Sequence, residues 1–204
     1  MDRLVTGVIL AGGASRRMGR NKALLEMEGR PLISIVAGRL RAVTDEVIIC
    51  ADDTGRYEAF ADRCVPDVYR GIGPLGGLHA GLAAARHELV AVVGCDMPFL
   101  KPEVLSWFVA AAAGFDLAIL RHANGLEPLH AVYHKRCLPA IEAYVETGGR
   151  RADGFHQGLR VRSVSPADLA PLDPELTSFL NLNTLGQTGV KPAVSANSGE
   201  VHPR

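Results

Sequence analysis

The chain has 204 residues, of which 48% are hydrophobic and 22% charged, and its 22 basic and 22 acidic side chains balance to a formal net charge of zero. This composition is typical of one globular domain with a sizeable core and excludes an intrinsically disordered chain. The charge balance also argues against nucleic acid or an anionic membrane as a partner, because the chain as a whole would not attract either.

The sequence carries no export or membrane signal. No apolar run approaches the roughly 20 residues of a membrane-spanning helix, and the N-terminus lacks the features of a secretory signal. The four cysteines are widely spaced, without a CxxC pair, at Cys50, Cys64, Cys95 and Cys137. We therefore expect free buried thiols and a cytoplasmic protein.

Short β-rich runs alternate with helical ones along the chain. The predicted strands are 4–10, 46–51, 64–67, 89–94, 117–120 and 131–133, with a candidate edge strand at 160–164, and the predicted helices are 31–43, 54–62, 75–86, 102–113 and 137–146. This alternation predicts a single three-layer, Rossmann-like α/β domain with a mostly parallel sheet flanked by helices. The domain is expected to span residues 1–187, and the tail 188–204, which has no apolar periodicity, is expected to be disordered.

Three unusual stretches follow predicted strands. They read "AGGASRRMGRNK" after the first strand, "PDVYRGIGPLGG" after the third and "CDMPF" after the fourth. Ligands of such sheets bind beyond the carboxyl ends of the strands. We therefore expect the three stretches to line one edge of the sheet and to form one site.

The first stretch combines glycine with concentrated positive charge, at Arg16, Arg17, Arg20 and Lys22. It is not a Walker A loop, because Arg20 follows Gly19 and the spacing is one residue too long. It is not a GxGxxG fingerprint either, because Gly12 and Gly13 are adjacent. Arginine favours oxyanions, so the charge predicts a triphosphate whose charge is redistributed during reaction. A solvated basic turn is the alternative.

Asp96 directly follows a continuous apolar strand, which places a carboxylate at the sheet edge. A partly buried carboxylate needs a partner, and opposite a phosphate site that partner is Mg²⁺, which one or two carboxylates and substrate phosphates normally hold. A cap on the turn into Pro98 is the alternative. Asp67 stands on weaker grounds, since aspartate is common in turns, and the glycines after it suggest close approach of a ligand to the backbone.

Five ordered blocks of this sequence resemble the molybdenum cofactor guanylyltransferases, within the nucleotidyltransferases whose signature resembles LAGGxxxRMGxxK. The blocks are "LAGGASRRMGRNKALL", "PDVYRGIGPLGGLHAGL", "VGCDMPFL", "EPLHAVYH" and "FLNLNT". The resemblance covers Gly7 to about Gln187. It implies a nucleotide-diphospho-sugar transferase type of fold and transfer of GMP from GTP to molybdenum-bound molybdopterin, with release of pyrophosphate. Cofactor-insertion proteins and molybdoenzyme acceptors are the protein partners it implies.

The resemblance also implies roles for individual residues on the nucleotide side. The backbone of Leu10, Ala11 and Gly12 would hold the guanine nucleotide, and Asp67 would lie near the ribose or the base. The whole binding set implied for nucleotide, metal and pterin is Leu10, Ala11, Gly12, Gly13, Lys22, Asp67, Gly76, Asp96, Asn181 and Asn183.

The implied catalytic residues are Arg17, Lys22 and Asp96. Arg17 and Lys22 correspond to the R and K of the signature and would contact the phosphates, while Asp96 would bind Mg²⁺. Asn181 and Asn183 of "NLNT" match a block near the metal and the pterin. The displacement needs no general base, because a phosphate nucleophile is already ionised, so none of the histidines need be catalytic. His79, His130 and His134 are expected to be structural.

The sequence departs from its relatives at Cys50, where they commonly carry an asparagine that contacts the nucleotide. A thiol cannot replace both hydrogen bonds of an amide, so that contact is either lost or made by the backbone. A cytidylyltransferase is the nearest alternative function, although such relatives read LAAG where this chain reads LAGG. A non-catalytic nucleotide-binding adaptor is the alternative from another class.

Overall fold

The computed structural model describes residues 4–12, 22–123 and 125–182, together with the backbone of Val194–Ser195. Its strands are β1 (Val5–Leu10), β2 (Glu26–Met27), β3 (Arg30–Pro31), β4 (Glu46–Cys50), β5 (Arg63–Val65), β6 (Leu89–Gly94), β7 (Leu117–His122), β8 (Gly125–His134), β9 (Val161–Val164) and β10 (Val194–Ser195). Its α-helices are α1 (Leu32–Arg41), α2 (Pro74–Ala84), α3 (Pro102–Ala111), α4 (Leu138–Glu146) and α5 (Pro166–Leu169).

Seven strands form the central sheet, in the order β5-β4-β1-β6-β8-β7-β9. The pairs β5–β4, β4–β1, β1–β6 and β7–β9 are parallel, whereas β8 is antiparallel to both of its neighbours. The mostly parallel sheet predicted from the alternation of strands and helices is thereby confirmed. The predicted edge strand is also present, as β9.

Helices cover both faces of the sheet and complete the three predicted layers. Apolar residues of α1, α3 and α5 form one core, and those of α2 and α4 form the other. The side chains of β1 alternate between the two: Ile9 packs into the first core and Val8 into the second, and both are fully buried. Burial on both faces explains why β1 is apolar except at the buried Thr6, whose hydroxyl donates to a Glu46 carboxylate oxygen (2.9 Å).

Two elements differ from the sequence prediction. Residues 54–62 do not form one helix but two single 3-10 turns, Thr54–Arg56 and Glu58–Phe60. Tyr57 between the two turns (φ −120°, ψ −1°) and Ala61 after them (φ −134°, ψ 164°) have non-helical backbones, so the helix does not continue, although Tyr57 is buried in the core and Phe60 packs against it. The strand predicted at 131–133 is the end of the longer β8, which pairs with β7 in an antiparallel hairpin.

A small second sheet lies beside the main one. It consists of β2 and β3, which directly follow Lys22–Leu24, with β10 paired antiparallel to β2. This pairing involves two residues of the predicted tail, while the predicted domain end at residue 187 lies outside the described residues. Within the described part of the chain, none of the helices has the length and apolar character needed to cross a membrane.

Candidate functional site

The carboxyl ends of three neighbouring strands lie in register at one edge of the sheet. Leu10 pairs with Cys50 on one side and with Gly94 on the other. The ladder continues one residue further, since the Ala11 amide donates to the Cys50 carbonyl (2.9 Å) and the Cys95 amide donates to the Leu10 carbonyl (3.2 Å). β5 continues this edge beyond β4, because Val65 pairs with Cys50 and its carbonyl accepts from the Ala51 amide (3.0 Å). The described parts of the three unusual stretches therefore lie along the same edge.

The Asp67 carboxylate lies between the end of β1 and the start of α2. Its Oδ2 is 3.7 Å from where a Cβ on Gly12 would stand and 3.2 Å from where a Cβ on Gly76 would stand. A methyl group on Gly76 would also collide with the backbone carbonyl of Tyr69. Gly76 is thus explained by the approach of the protein's own loop, where the sequence analysis had expected the approach of a ligand. Its contact with nucleotide remains a prediction.

Asp67 carries an unmet hydrogen-bonding group. Its Oδ1 is buried and accepts no hydrogen bond from any described residue. Burial raises the pKa of Asp67, and the charge of Asp52 raises it further. A buried acceptor without a donor costs about 1–3 kcal/mol, so a ligand hydroxyl or N–H that reached this oxygen would recover that energy.

Asp96, Lys22 and Asn181 form the other half of the site. Burial raises the pKa of Asp96, and the positive charge of Lys22 opposes that shift. Lys22 is the first residue of the 3-10 turn Lys22–Leu24. Its positive charge likewise opposes the rise that burial causes in the pKa of the Cys95 thiol. The half-buried Asn181 is brought alongside because the amide of the next residue, Leu182, donates to the Asp96 carbonyl (3.1 Å).

The two halves lie along the same edge of the sheet. Asp67 follows β5 and Asp96 follows β6, which are three strand positions apart, but the Asp67 carboxylate lies beside Gly12, just after β1, the strand that pairs with β6. A ligand that touches both halves would need one end that donates hydrogen bonds and another that is anionic.

The Cys50 thiol does not face the site. It is fully buried and lies 3.2 Å from where a Cβ on Gly81 of α2 would stand. The Cys50 carbonyl is already bonded to the Ala11 amide. Burial also raises the pKa of the Cys95 thiol to about 12, which leaves it protonated beside Asp96. All four cysteines are free.

The three histidines of interest have partners within the protein. His79 Nε2 is 3.1 Å from a Glu142 carboxylate oxygen, and His134 Nδ1 accepts from the Arg136 amide. His130 is fully buried, with its Nδ1 3.2 Å from the Ser178 carbonyl. Each of these side chains thus has a partner within the protein, and their structural role stays a prediction.

Several expected site residues lie outside the described residues, namely Gly13, Arg16, Arg17, Arg20 and Asn183. The sequence analysis also overlooked the segment that precedes Asn181, where Asp173 and Ser178 are fully buried polar residues. Its sequence signal was an aspartate and a serine within "DPELTSFL", a pattern that also suits an exposed turn.

The fold is that of an α/β nucleotidyltransferase. The chain belongs to the MobA-like NTP transferase domain family, whose family model matches residues 7–161. The recognition made from five sequence blocks is confirmed.

Similar proteins match over nearly their whole length. One is a probable molybdenum cofactor guanylyltransferase of Pelotomaculum thermopropionicum, 43% identical over 88% of this chain and 87% of its own. Another is a molybdenum cofactor guanylyltransferase of Desulfosudis oleivorans, 38% identical over 88% of this chain and 90% of its own. Among solved structures, molybdopterin-guanine dinucleotide biosynthesis protein A of Archaeoglobus fulgidus is 29% identical, with a TM-score of 0.74 over 87% of this chain and 92% of that one.

Proposed function

We propose that this protein transfers GMP from GTP to molybdenum-bound molybdopterin and releases pyrophosphate. The observation that carries the proposal is the match, over nearly the full length, to relatives named for this activity at 38% and 43% identity. The chemistry of the sheet edge supports it independently, because that edge offers a hydrogen-bond acceptor at Asp67 and, at Asp96, a carboxylate on which the charge of Lys22 acts.

The nucleoside would bind at the Asp67 end. Guanine and ribose both carry hydrogen-bond donors, and the buried Asp67 Oδ1 is an acceptor that no described residue satisfies. The half-buried Ala11 and the exposed Gly12 continue from the end of β1 beside it. A side chain at position 12 would lie against Asp67, so glycine leaves room there for a purine.

The phosphates would bind at the Lys22 and Asp96 end. Lys22 and Arg17 would neutralise charge on the phosphate oxygens and on the departing pyrophosphate. Asp96 suits Mg²⁺ because it is a hard oxygen ligand whose burial disfavours its charge, so a bound cation would relieve that cost. Bound there, Mg²⁺ would neutralise phosphate charge and align the two reacting groups. Asn181 would supply a further polar group toward the pterin phosphate.

The reaction would be a displacement at the α-phosphorus of GTP. An oxygen of the terminal phosphate of molybdopterin forms a bond to that phosphorus, and the bond to the β-phosphate breaks. Pyrophosphate leaves with the electron pair. Because the attacking oxygen is already ionised, the protein contributes position and charge rather than a general base.

Nucleotide-dependent thermal unfolding tests the proposal without the unstable pterin. GTP, CTP, ATP and UTP are each added with and without Mg²⁺. A ligand at about 100 times its dissociation constant stabilises by about 2.7 kcal/mol, which raises the midpoint by roughly 5–10 °C in a protein of this size. We expect a shift with GTP that Mg²⁺ enlarges.

The other outcomes decide between the alternatives. A shift with CTP alone would indicate a cytidylyltransferase with the same mechanism. A shift with GTP but no pyrophosphate release in the presence of molybdopterin would indicate a nucleotide-binding adaptor. Absence of a shift with every nucleotide would contradict the proposal.

A further inference from the structure

We propose that Asp173 is a positioning residue, which braces the segment bearing Asn181 against the loop that carries Asp96. The inference rests on the proposed function for its catalytic meaning, but the brace itself is a set of contacts within the chain. We call Asp173, Lys101, Thr177 and Ser178 the Asp173 hub.

The Asp173 carboxylate is fully buried and fully bonded. Its Oδ1 accepts from Lys101 Nζ (2.6 Å), from the Thr177 hydroxyl (2.8 Å) and from the Thr177 amide (3.1 Å). Its Oδ2 accepts from the Ser178 amide (2.8 Å). Burial alone would raise the pKa of Asp173, but these donors outweigh it and the pKa is lowered, so the carboxylate is charged at neutral pH.

Two segments of the site are fastened to each other at both ends, by the Asp173 hub at one end and by a backbone hydrogen bond at the other. The loop from Asp96 to Lys101 leads from β6 into α3, and the segment 173–182 lies alongside it. At one end Lys101 donates to Asp173 through Nζ and to Ser178 Oγ through its amide (2.9 Å). At the other end Leu182 donates its amide to the Asp96 carbonyl. Asn181 precedes Leu182, so the hub determines where Asn181 stands relative to Asp96.

A third contact ties this segment to the sheet. His130 of β8 pairs with Val93 of β6, three residues before Asp96. Its ring stacks on Phe179 with centroids 4.1 Å apart, and its Nδ1 donates to the Ser178 carbonyl. β6, which leads to Asp96, and β8, which contacts the Asn181 segment through His130, are therefore neighbours in the sheet.

The turn inside the hub is strained, which indicates that its geometry is imposed. Leu176 adopts a left-handed backbone conformation with φ of 50°, unusual for a residue with a side chain. Its amide donates to the Asp173 carbonyl, and the hub holds the residues on both sides. Such strain persists only where the surroundings over-determine it.

The test compares Asp173→Asn with Asp116→Asn. Asp116 is the matched control, since it is another buried carboxylate with arginine partners and backbone donors, but it precedes β7 at the opposite edge of the sheet. Both variants are assayed for kcat, KM for GTP and the Mg²⁺ concentration giving half-maximal rate. Hydrogen exchange of a peptide covering 177–182 reports the brace without reference to activity.

We expect Asp173→Asn to lower kcat at least 10-fold and raise the Mg²⁺ requirement several-fold, with KM for GTP changed by less than 3-fold. Exchange at Leu182 should accelerate at least 10-fold. Asp116→Asn should leave all four quantities within 3-fold. Ser178→Ala removes only the hydrogen bond from the Lys101 amide. It should change kcat, the Mg²⁺ requirement and Leu182 exchange in the same directions but by less, and it replaces Asp173→Asn in the test if that variant does not fold.

Two results would overturn the inference. One is a folded Asp173→Asn variant with the kcat and Leu182 exchange of the parent protein, and the other is an equal loss in Asp116→Asn. If the parent protein transfers no GMP, the proposed function fails, and the brace is then judged on Leu182 exchange alone.

Discussion

Replacing Asp96 by asparagine separates the charge of this side chain from its shape. The amide fills the same space, and the bond from the Leu182 amide to the Asp96 backbone carbonyl (3.1 Å) does not involve the side chain. The variant should therefore keep the site assembled. Loss of one preorganised electrostatic group at a reacting centre costs about 3–4 kcal/mol, which lowers kcat by about 10²- to 10³-fold.

The same variant should be at least as stable as the parent protein. Burial raises the pKa of Asp96, so the folded protein holds the proton more tightly than the unfolded chain does, and the charged carboxylate costs stability at neutral pH. This cost is absent below the unfolded pKa of about 3.9. It grows as the pH rises from there to the higher folded pKa and is constant above it. The thermal midpoint of the variant should therefore exceed that of the parent protein only above about pH 4.

Pyrophosphate release at saturating GTP and Mg²⁺ measures the first effect, and thermal unfolding at pH 4 and pH 7.5 without nucleotide measures the second. A near-parental rate at saturating Mg²⁺ would refute the role of Asp96 at the metal. A midpoint lowered by several degrees at pH 7.5 would refute the reading of its burial and make Asp96 a structural residue.

Three further predictions concern charge, packing and pH. Lys22→Ala should lower kcat by about 10²- to 10³-fold in steady-state assays; a rise in KM for GTP alone would instead make Lys22 a ground-state binder. Gly81→Ala should destabilise by about 1–2 kcal/mol in denaturant unfolding, because its Cβ would stand 2.5 Å from Val8 Cγ1. Gly38 is an exposed residue of α1, and a Cβ there would meet no other atom, so Gly38→Ala should stabilise the protein by about 0.5–1 kcal/mol. Equal changes in unfolding free energy in the two variants would contradict the packing argument. Hydrogen bonding by Arg160 lowers the pKa of Asp116 to about 2, so stability should fall as pH drops from about 4 to 2, a loss that Asp116→Asn should remove from the unfolding profile.

The sequence by itself determined the strands of the central sheet and which polar residues follow them. The run 89–94 is continuously apolar and lies between Glu88 and Cys95–Asp96, so its strand was predicted with the bounds that the structure shows. Burial on both faces leaves that signature in any local window. The order of the five blocks likewise pointed to the family without any knowledge of contacts.

Only the tertiary structure decided how distant segments meet. Cys50 reads as a strand end facing the site, yet the approach of α2 buries its thiol. Residues 54–62 read as helical, yet the backbone leaves the helical region at Tyr57 and again at Ala61, so only two 3-10 turns form. Asp173 reads as a turn residue, yet Lys101, 72 positions earlier in the chain, makes it a buried anchor for the segment that presents Asn181. Such contacts depend on pairing between strands and loops far apart in sequence, and periodicity within one segment carries no information about them.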